Sequence, residues 1–429
     1  MTWWRELAAV ERRTLIAAFG GWSVDAFDFM IYSFAIPALI AAWGMTRAEA
    51  GLIATSTLLF SAAGGWLAGA LSDRVGRVRM LQVTIGWFAL FTFLSGFSHS
   101  FGQLLALRSL QGLGFGGEWA VGAALVSEMI QPQHRGKAVG TVQSGWALGW
   151  GAAAMLYAVS FSVLPGDLAW RALFWTGILP ALLILYVRRR VPEPAASAAA
   201  RARAEREPHP ERAGEHDAAA RAEAGRARRP LGIFAPSLLR TTALASLMAT
   251  GMQGGYYAVT TWLPTYLKTV RGLSVLDTGG YLVVIVAGSF AGYLTAAWLS
   301  DRLGRRACFA LFAVGSLLVA VAYTLIPIGD VAMLSLGFPL GFFVSGNFSG
   351  VGAFFAELFP GPVRGSGMGF AYSFGRGAGA LFPALVGFLS ARLPLGTAIG
   401  GFAGIAYLLV LAAVIALPET RGRALAAGD

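Results

Sequence analysis

The chain has 429 residues, of which 56% are hydrophobic and only 13% are charged. This charged fraction is about half of the ~25% found in soluble domains, and the mean hydropathy is +0.63. The composition therefore excludes an ordinary soluble protein and predicts a membrane protein. The one cysteine, Cys308, excludes a disulfide within the chain and a thiolate metal cluster.

Apolar runs long enough to cross a bilayer recur along the whole chain. We predict twelve segments, with approximate ranges 14–41, 48–71, 80–98, 101–127, 137–161, 168–187, 241–267, 274–299, 307–326, 331–356, 365–390 and 397–417. The first run is too long for a signal peptide and has no small-residue cleavage site, so we expect no cleaved leader. The predicted domains are an N-terminal six-helix bundle (1–187), a cytoplasmic linker (188–240) and a C-terminal six-helix bundle (241–429).

The positive charge follows the predicted loops. With the N-terminus inside, most of the 33 Lys and Arg residues fall on the cytoplasmic side, and the short loops alone show this bias. The formal net charge of +11 is therefore a topology signal and not a nucleic-acid surface. We expect a multi-pass protein of the cell inner membrane with both termini in the cytoplasm.

Two loop motifs occur twice. LSDRVGRVR (71–79) matches LSDRLGRRA (299–307), and SEMIQPQHRGKAVG (127–140) matches AELFPGPVRGSGMG (356–369), at nearly the same spacing. This internal repeat predicts two pseudo-symmetric halves, the organisation of alternating-access carriers.

Three acidic residues lie inside predicted membrane segments of the first half. Asp25 and Asp28 share one face of the first helix, and Glu118 lies in the fourth. A carboxylate at this depth must face the bundle interior or a wet cavity. We favour a role as proton carriers, and the alternative is that they only satisfy neighbouring polar groups.

Two arginines also lie within predicted segments. Arg108 falls at a depth similar to that of Asp28, so a contact would compensate both charges; it is either a switchable pair or a permanent bridge. Arg376 lies midway along the eleventh segment, in a half with no predicted membrane acid. We expect it to bind an organic anion, because a guanidinium offers a carboxylate two parallel hydrogen bonds. The alternative is pairing with Asp25 or Glu118.

Further polar and aromatic residues are candidates for the pocket and the gates. The predicted substrate-binding residues besides Arg376 are Tyr372, Asn347, Gln253, Tyr256, Tyr257 and Trp146. The predicted gating residues, read either as latches that change partner or as static loop chemistry, are Asp73, Arg77, Glu128, Arg135, Asp301, Arg305, Glu357 and Arg364. In particular, the repeated spacing predicts pairs between Glu128 and Arg135 and between Glu357 and Arg364.

Several of these motifs resemble those of one transporter family. GALSDRVGRVR (69–79), its echo AAWLSDRLGRR (296–306), RSLQGLGFGGEW (108–119) and PETRGR (418–423) resemble signatures of the major facilitator superfamily. DAFDF, GGEW and SFGRGAGALFPALVG look most like the metabolite:proton symporters, a branch that includes carriers of lactate, pyruvate, sialate and aromatic acids. The resemblance implies an all-α fold of twelve transmembrane helices in two pseudo-symmetric bundles.

We therefore expect a monomeric secondary transporter that moves a small organic anion together with a proton. A monocarboxylate such as lactate or pyruvate is the first choice, and the alternatives are sugar, sialate or aromatic-acid uptake, drug efflux or a transport-inactive sensor. The expected partners are the anion, the proton and membrane lipid, without nucleic acid, cofactor or metal. GLGFGG (112–117) fits a nucleotide-binding pattern but lies inside an apolar helix, so it predicts helix packing and not an enzyme.

Overall fold

The computed structural model describes residues 3–131, 134–193, 230–360 and 363–421. Within these ranges the protein is helical and contains no strand. Most of the predicted linker lies outside the described residues. The model confirms an all-α membrane fold with twelve crossing segments, some built from one helix and some from two.

The first half contains eight α-helices. Their bounds are α1 Trp3–Glu6, α2 Ala9–Trp43, α3 Arg47–Val75, α4 Arg77–Ser95, α5 Phe101–Met129, α6 Arg135–Val163, α7 Gly166–Trp175 and α8 Ala181–Arg190. A short 3₁₀ turn, Thr176–Ile178, joins α7 to α8, so these two helices form the sixth crossing.

The second half contains eight more α-helices after a 3₁₀ turn at Pro230–Phe234. Their bounds are α9 Pro236–Thr269, α10 Val275–Leu303, α11 Arg305–Leu325, α12 Asp330–Gly346, α13 Val351–Leu358, α14 Arg364–Gly379, α15 Leu381–Leu389 and α16 Leu395–Ala416. The tenth crossing consists of α12 and α13, and the eleventh consists of α14 and α15. We call the side where α2 begins and α16 ends the terminal side, and the other the opposite side.

Hydropathy and length alone identify nine of the crossings in the described ranges. The remaining three are α5, α9 and the α14–α15 pair. These segments carry Arg108, Glu118, Gln253 and Arg376, so the residues predicted for the site also lower the mean hydropathy of these helices. The helix break at Ala380 adds to the effect, since Pro383 cannot donate its backbone hydrogen bond to the preceding turn.

Glycines allow helices of each half to approach closely. An added Cβ at Gly64, Gly112 or Gly116 would collide with backbone across the α3–α5 interface. Gly288 and Gly341 have the same relation across the α10–α12 interface. The GLGFGG run therefore acts in helix packing, as close backbone contact in lipid requires small residues.

The two halves are pressed together on the opposite side. Thr55 of α3 donates a 2.6 Å hydrogen bond to the carbonyl oxygen of Ala380 and accepts one of 3.1 Å from the Ala384 N–H. Nearer the terminal side, a Cβ at Gly377 would lie 3.8 Å from the Ala62 side chain, and one at Gly369 would meet no described atom within 4 Å. The α3–α14–α15 interface therefore holds the two halves together on the opposite side.

Candidate functional site

A cavity lies between the halves at mid-membrane depth. Its volume is about 20 Å³. That room suffices for about one water molecule. Its described lining residues are Trp22, Gln143, Trp146, Tyr256, Tyr257, Tyr293, Phe348, Tyr372 and Arg376. The cavity is thus contracted, and a larger molecule requires the helices around it to move apart.

Arg376 of α14 supplies the positive charge of the cavity. Its side chain is buried, and its guanidinium carbon lies 5.5 Å from the ring centre of Phe115 and 5.4 Å from that of Tyr372. The guanidinium also interacts electrostatically with the hydroxyl groups of Tyr372 and Tyr257. The rings of Phe115 and Tyr372 stabilise the buried cation through cation–π contacts.

The cavity wall is mainly aromatic. Trp146 donates its indole N–H to the hydroxyl oxygen of Tyr256, at 2.5 Å, and this bond connects the two halves. The Trp22 ring lies 5.0 Å from Trp146, and the Tyr256 ring lies 5.3 Å from Phe348. The predicted wall residues Trp146, Tyr256, Tyr257 and Tyr372 all line the cavity.

Sequence reasoning missed four lining residues, namely Trp22, Gln143, Tyr293 and Phe348. Trp22 lies three residues before Asp25 on α2, and Gln143 lies three residues before Trp146 on α6. A search for aromatic and amide residues on the same helical faces as the predicted site would have found these two. Phe348 lies in the break between α12 and α13, where helical periodicity gives no guide.

Two predicted wall residues turn away from the cavity. Asn347 donates hydrogen bonds of 3.0 Å to Ser316 Oγ and 3.1 Å to the Phe343 carbonyl oxygen, so its side chain points toward α11. It does not line the contracted cavity, and its role as a substrate ligand stays a prediction. Gln253 lies behind the wall and donates a 3.0 Å hydrogen bond to the Tyr372 carbonyl oxygen.

Asp28 and Arg108 form the predicted contact between α2 and α5. Arg108 Nη1 lies 3.7 Å from Asp28 Oδ2, and both side chains are almost fully buried. Gln111 donates a hydrogen bond to the same carboxyl oxygen. The Phe29 and Phe115 rings stack with their centres 5.9 Å apart on this interface. The pair is therefore present but does not line the contracted cavity.

Asp25 and Glu118 form a second acidic contact on the same interface. Both are fully buried, and the two carboxyl groups lie within hydrogen-bonding reach of each other. Gly21 makes room for this contact, since a Cβ there would collide with Glu118 Oε1. Arg376 acts electrostatically on both carboxyl groups from across the cavity. Asp25 and Glu118 of the first half and Arg376 of the second half therefore form one electrostatic cluster.

On the terminal side, Glu357 pairs with a different arginine from the one predicted. Arg305 donates hydrogen bonds of 2.9 and 3.1 Å to the two carboxyl oxygens of Glu357, and one of 2.7 Å to Asp301. Arg364 instead donates to the carbonyl oxygens of Ala356 and Phe359. The predicted Glu357–Arg364 pair is wrong in this conformation, because α13 ends before Arg364 and turns Glu357 toward α11.

The corresponding network of the first half is only partly described. Arg77 donates to the Ser72 hydroxyl group. The side chains of Asp73, Glu128 and Arg135 lie outside the described part of the structure. The predicted pair between Glu128 and Arg135 therefore stays a prediction.

Two glutamates that the prediction missed fix the starts of α4 and α11. Glu193 accepts hydrogen bonds from the backbone N–H groups of Arg77 and Val78. Glu419 accepts them from those of Arg305 and Arg306, at 2.9 and 3.1 Å. Each glutamate follows a proline that comes directly after a crossing, and this repeated Pro-Glu is the sequence signal for the pair.

The Glu419 carboxylate is stabilised in its charged form. Burial opposes ionisation, but the backbone N–H groups of Arg305, Arg421, Arg306 and Thr420 hold the pKa of Glu419 below its ordinary value.

The turns directly before α4 and α11 explain why the repeated loop motif contains glycine. Gly76 and Gly304 in these turns have φ angles of 107° and 98°, which other residues rarely adopt.

Comparison with known proteins agrees with this architecture. The profile of the Major Facilitator Superfamily matches residues 18–339 and 288–428. A "Probable 4-methylmuconolactone transporter" of Cupriavidus pinatubonensis (strain JMP 134 / LMG 1197) is 42% identical over 425 residues, covering 99% of this chain and 94% of that protein. A "Cis,cis-muconate transport protein" of Acinetobacter baylyi (strain ATCC 33305 / BD413 / ADP1) is 29% identical over 393 residues, covering 91% and 88%.

A solved structure shows the same fold. The crystal structure of a D-xylose-proton symporter superposes with a TM-score of 0.73 at 20% sequence identity, covering 96% of this chain and 99% of that one. The twelve crossings, the cavity between the halves and the profile match lead to one conclusion. The chain belongs to the Major Facilitator Superfamily and is a membrane transporter, not an enzyme.

Proposed function

We propose that the protein takes up a small planar organic acid together with a proton, by alternating access across the inner membrane. The observation that carries this proposal is the cavity, which combines the Arg376 guanidinium with seven aromatic side chains among its described lining residues. One cation in an aromatic enclosure matches a molecule with at least one carboxylate and a flat, unsaturated body.

The wall favours an aromatic or unsaturated acid over lactate or pyruvate. Aromatic side chains interact most favourably with flat partners that stack on them or meet them edge to face. Each such contact contributes ~0.5–1.5 kcal/mol beyond the burial of apolar surface. A three-carbon hydroxy acid offers no such surface. The aromatic-acid alternative therefore replaces lactate as the preferred substrate.

The relatives support the same substrate class. One is named for 4-methylmuconolactone and another for cis,cis-muconate, both unsaturated carboxylic acids or their lactones. Neither name includes lactate or a sugar. We take the shared chemistry, a carboxylate on a compact unsaturated skeleton, as the substrate class.

The proposed roles follow from the charges around the cavity. Arg376 holds the carboxylate of the substrate. Asp25, Asp28 and Glu118 carry the proton, and Arg108 positions Asp28 through the contact between α2 and α5. We propose that the bundles 1–187 and 241–429 rock about this site, with both termini in the cytoplasm. The opposite side is closed and the cavity is contracted, so we propose that substrate enters or leaves on the cytoplasmic side once the helices around the cavity move apart.

A binding panel tests the substrate class. Purified protein is titrated with benzoate, cis,cis-muconate, lactate and D-xylose, and binding is followed by quenching of the tryptophan fluorescence of Trp22 and Trp146. We expect at least one of the two unsaturated acids to bind ~10-fold or more tightly than lactate, the scale of one lost aromatic contact. Binding of D-xylose or lactate in preference to both acids would overturn the proposal.

A further inference from the structure

We propose that Asp25 and Glu118 form one proton site, a carboxyl pair that shares a single proton. Because Gly21 has no side chain, it leaves the space in which Glu118 contacts Asp25. This inference deepens the proposed function and rests on it for the identity of the proton carrier. It assigns coupling to a pair of residues from two helices, and a positioning role to a residue without a side chain.

The surroundings of the two groups favour a proton between them. Both oxygens of Asp25 are buried and accept a hydrogen bond from no N–H or hydroxyl group of the described residues. The Glu118 carboxyl group lies close enough to interact with that of Asp25, and Glu118 is itself almost fully buried. Two carboxylates in contact in a dry interior repel each other, so a single proton held between them stabilises the pair unless a nearby cation offsets the repulsion.

Gly21 makes this contact possible. It lies one helical turn before Asp25 on α2, and a Cβ there would occupy the position of Glu118 Oε1. Gly122 lies one turn after Glu118 on α5, and a Cβ there would be 3.6 Å from the same oxygen, an ordinary van der Waals contact. Both glycines lie beside the Glu118 carboxyl group. Only Gly21 must lack a side chain for this carboxyl group to take its observed position.

Other charged groups connect the pair to the substrate. Asp28 on α2 adds negative charge near Asp25, although Arg108 on α5 largely neutralises it. Arg376 on α14 acts on both members of the pair with positive charge. An anion bound to Arg376 offsets that charge, so the pair then holds its proton more tightly. When the anion leaves, Arg376 again favours the ionised pair, and the proton is released to water.

Proton uptake on ligand binding tests this inference. Benzoate is added to purified protein in weakly buffered solution, and a pH-indicator dye reports the protons taken up. At mildly alkaline pH we expect up to about one proton per bound benzoate, and about none in Asp25→Asn, Glu118→Gln and the double variant, as for one coupled site. Partial losses in the single variants that add up in the double variant would show two independent acids and would refute the shared site.

The glycines provide the matched control. Gly21→Ala should lower proton uptake about as far as Glu118→Gln does, while Gly122→Ala behaves as wild type, because only the first displaces Glu118. Melting temperatures of both variants identify a folding defect. Wild-type uptake in Gly21→Ala would overturn the positioning role.

A measurement without ligand separates this inference from the substrate proposal. Infrared spectra of the empty protein, recorded as the pH is lowered, report the C=O stretch of protonated carboxyl groups. Asp25→Asn and Glu118→Gln should remove the same band, and this result stands even if benzoate and muconate do not bind. Two different bands, one lost in each variant, would refute the pair whatever the substrate.

Discussion

The role of Arg376 gives the sharpest prediction about substrate recognition. Arg376 is 4% exposed, and its guanidinium interacts with Phe115, Tyr372 and Tyr257. Hydrogen bonds to a charged group contribute ~1.5–3 kcal/mol. Arg376→Lys keeps the charge but cannot donate two parallel hydrogen bonds to a carboxylate. One such bond is therefore lost, and the affinity for benzoate should fall ~10-fold. Arg376→Gln loses the charge as well and should weaken binding ~100-fold.

The assay is a double-mutant cycle in which the second change is made on the ligand. Benzoate and benzamide have the same shape, but only benzoate carries the charge that Arg376 recognises. Isothermal titration gives the affinity of each ligand for the wild type and for Arg376→Gln. We expect benzamide to bind both proteins weakly and almost equally, with a coupling energy of ~1.5–3 kcal/mol between the guanidinium and the carboxylate.

One outcome would refute the reasoning. If both ligands lose the same affinity in Arg376→Gln, the coupling energy is near zero and Arg376 does not touch the carboxylate. The guanidinium would then serve as a structural partner of Asp25 and Glu118, as the alternative interpretation of the sequence holds.

Further predictions concern the gates and the wall. Thr55→Val removes the hydroxyl group between Ala380 and Ala384, and should shift ~1 kcal/mol of stability away from the conformation closed on the opposite side; spin-label distances across that side should lengthen, and unchanged distances would contradict the closure. Phe348→Ala should enlarge the cavity and raise the affinity for bulkier acids relative to benzoate in the binding panel; an unchanged order of affinities would remove Phe348 from the wall. Because its pKa is lowered, Glu419 stabilises the fold above its ordinary pKa of ~4.3, and this contribution is lost as pH falls through the lowered value. The melting temperature of Glu419→Gln should therefore lie below that of the wild type at neutral pH and approach it in acid; a constant difference would contradict the assignment.

The crossings were predictable because hydropathy and charge act over many residues at once. Approximate ranges for all twelve segments, and the loops that connect them, follow from apolar length and from the positions of Lys and Arg. The breaks in the tenth and eleventh crossings were not predicted. They depend on single residues such as Pro383, whose effect on a helix is local and leaves the apolar pattern intact.

The site was predictable where a residue was out of place in lipid. Arg376, Asp25 and Glu118 stand out because a charge at this depth needs a reason. Glu357 shows the limit: its spacing from Arg364 suggested a pair, but tertiary placement gives it Arg305. Sequence separation in a loop does not determine which side chains meet.

The contact between Asp25 and Glu118 was likewise not predictable from either helix alone. Both acids were identified as candidate proton carriers, but their pairing depends on the absence of a side chain at Gly21. Such a gap has no signal in a sequence rich in glycine, since most glycines serve helix packing.

Transport in proteoliposomes tests the central claim most directly. Labelled benzoate and cis,cis-muconate are supplied outside liposomes with an imposed pH gradient, acidic outside, and with the membrane potential clamped at zero. One proton per acid predicts ~10-fold accumulation per pH unit, since one unit corresponds to ~1.4 kcal/mol. The initial rate should exceed that of protein-free liposomes and of Arg376→Gln, which control for passive leakage of the neutral acid. Rates equal to those of protein-free liposomes for both acids, or accumulation that ignores the pH gradient, would contradict proton-coupled uptake of a planar acid.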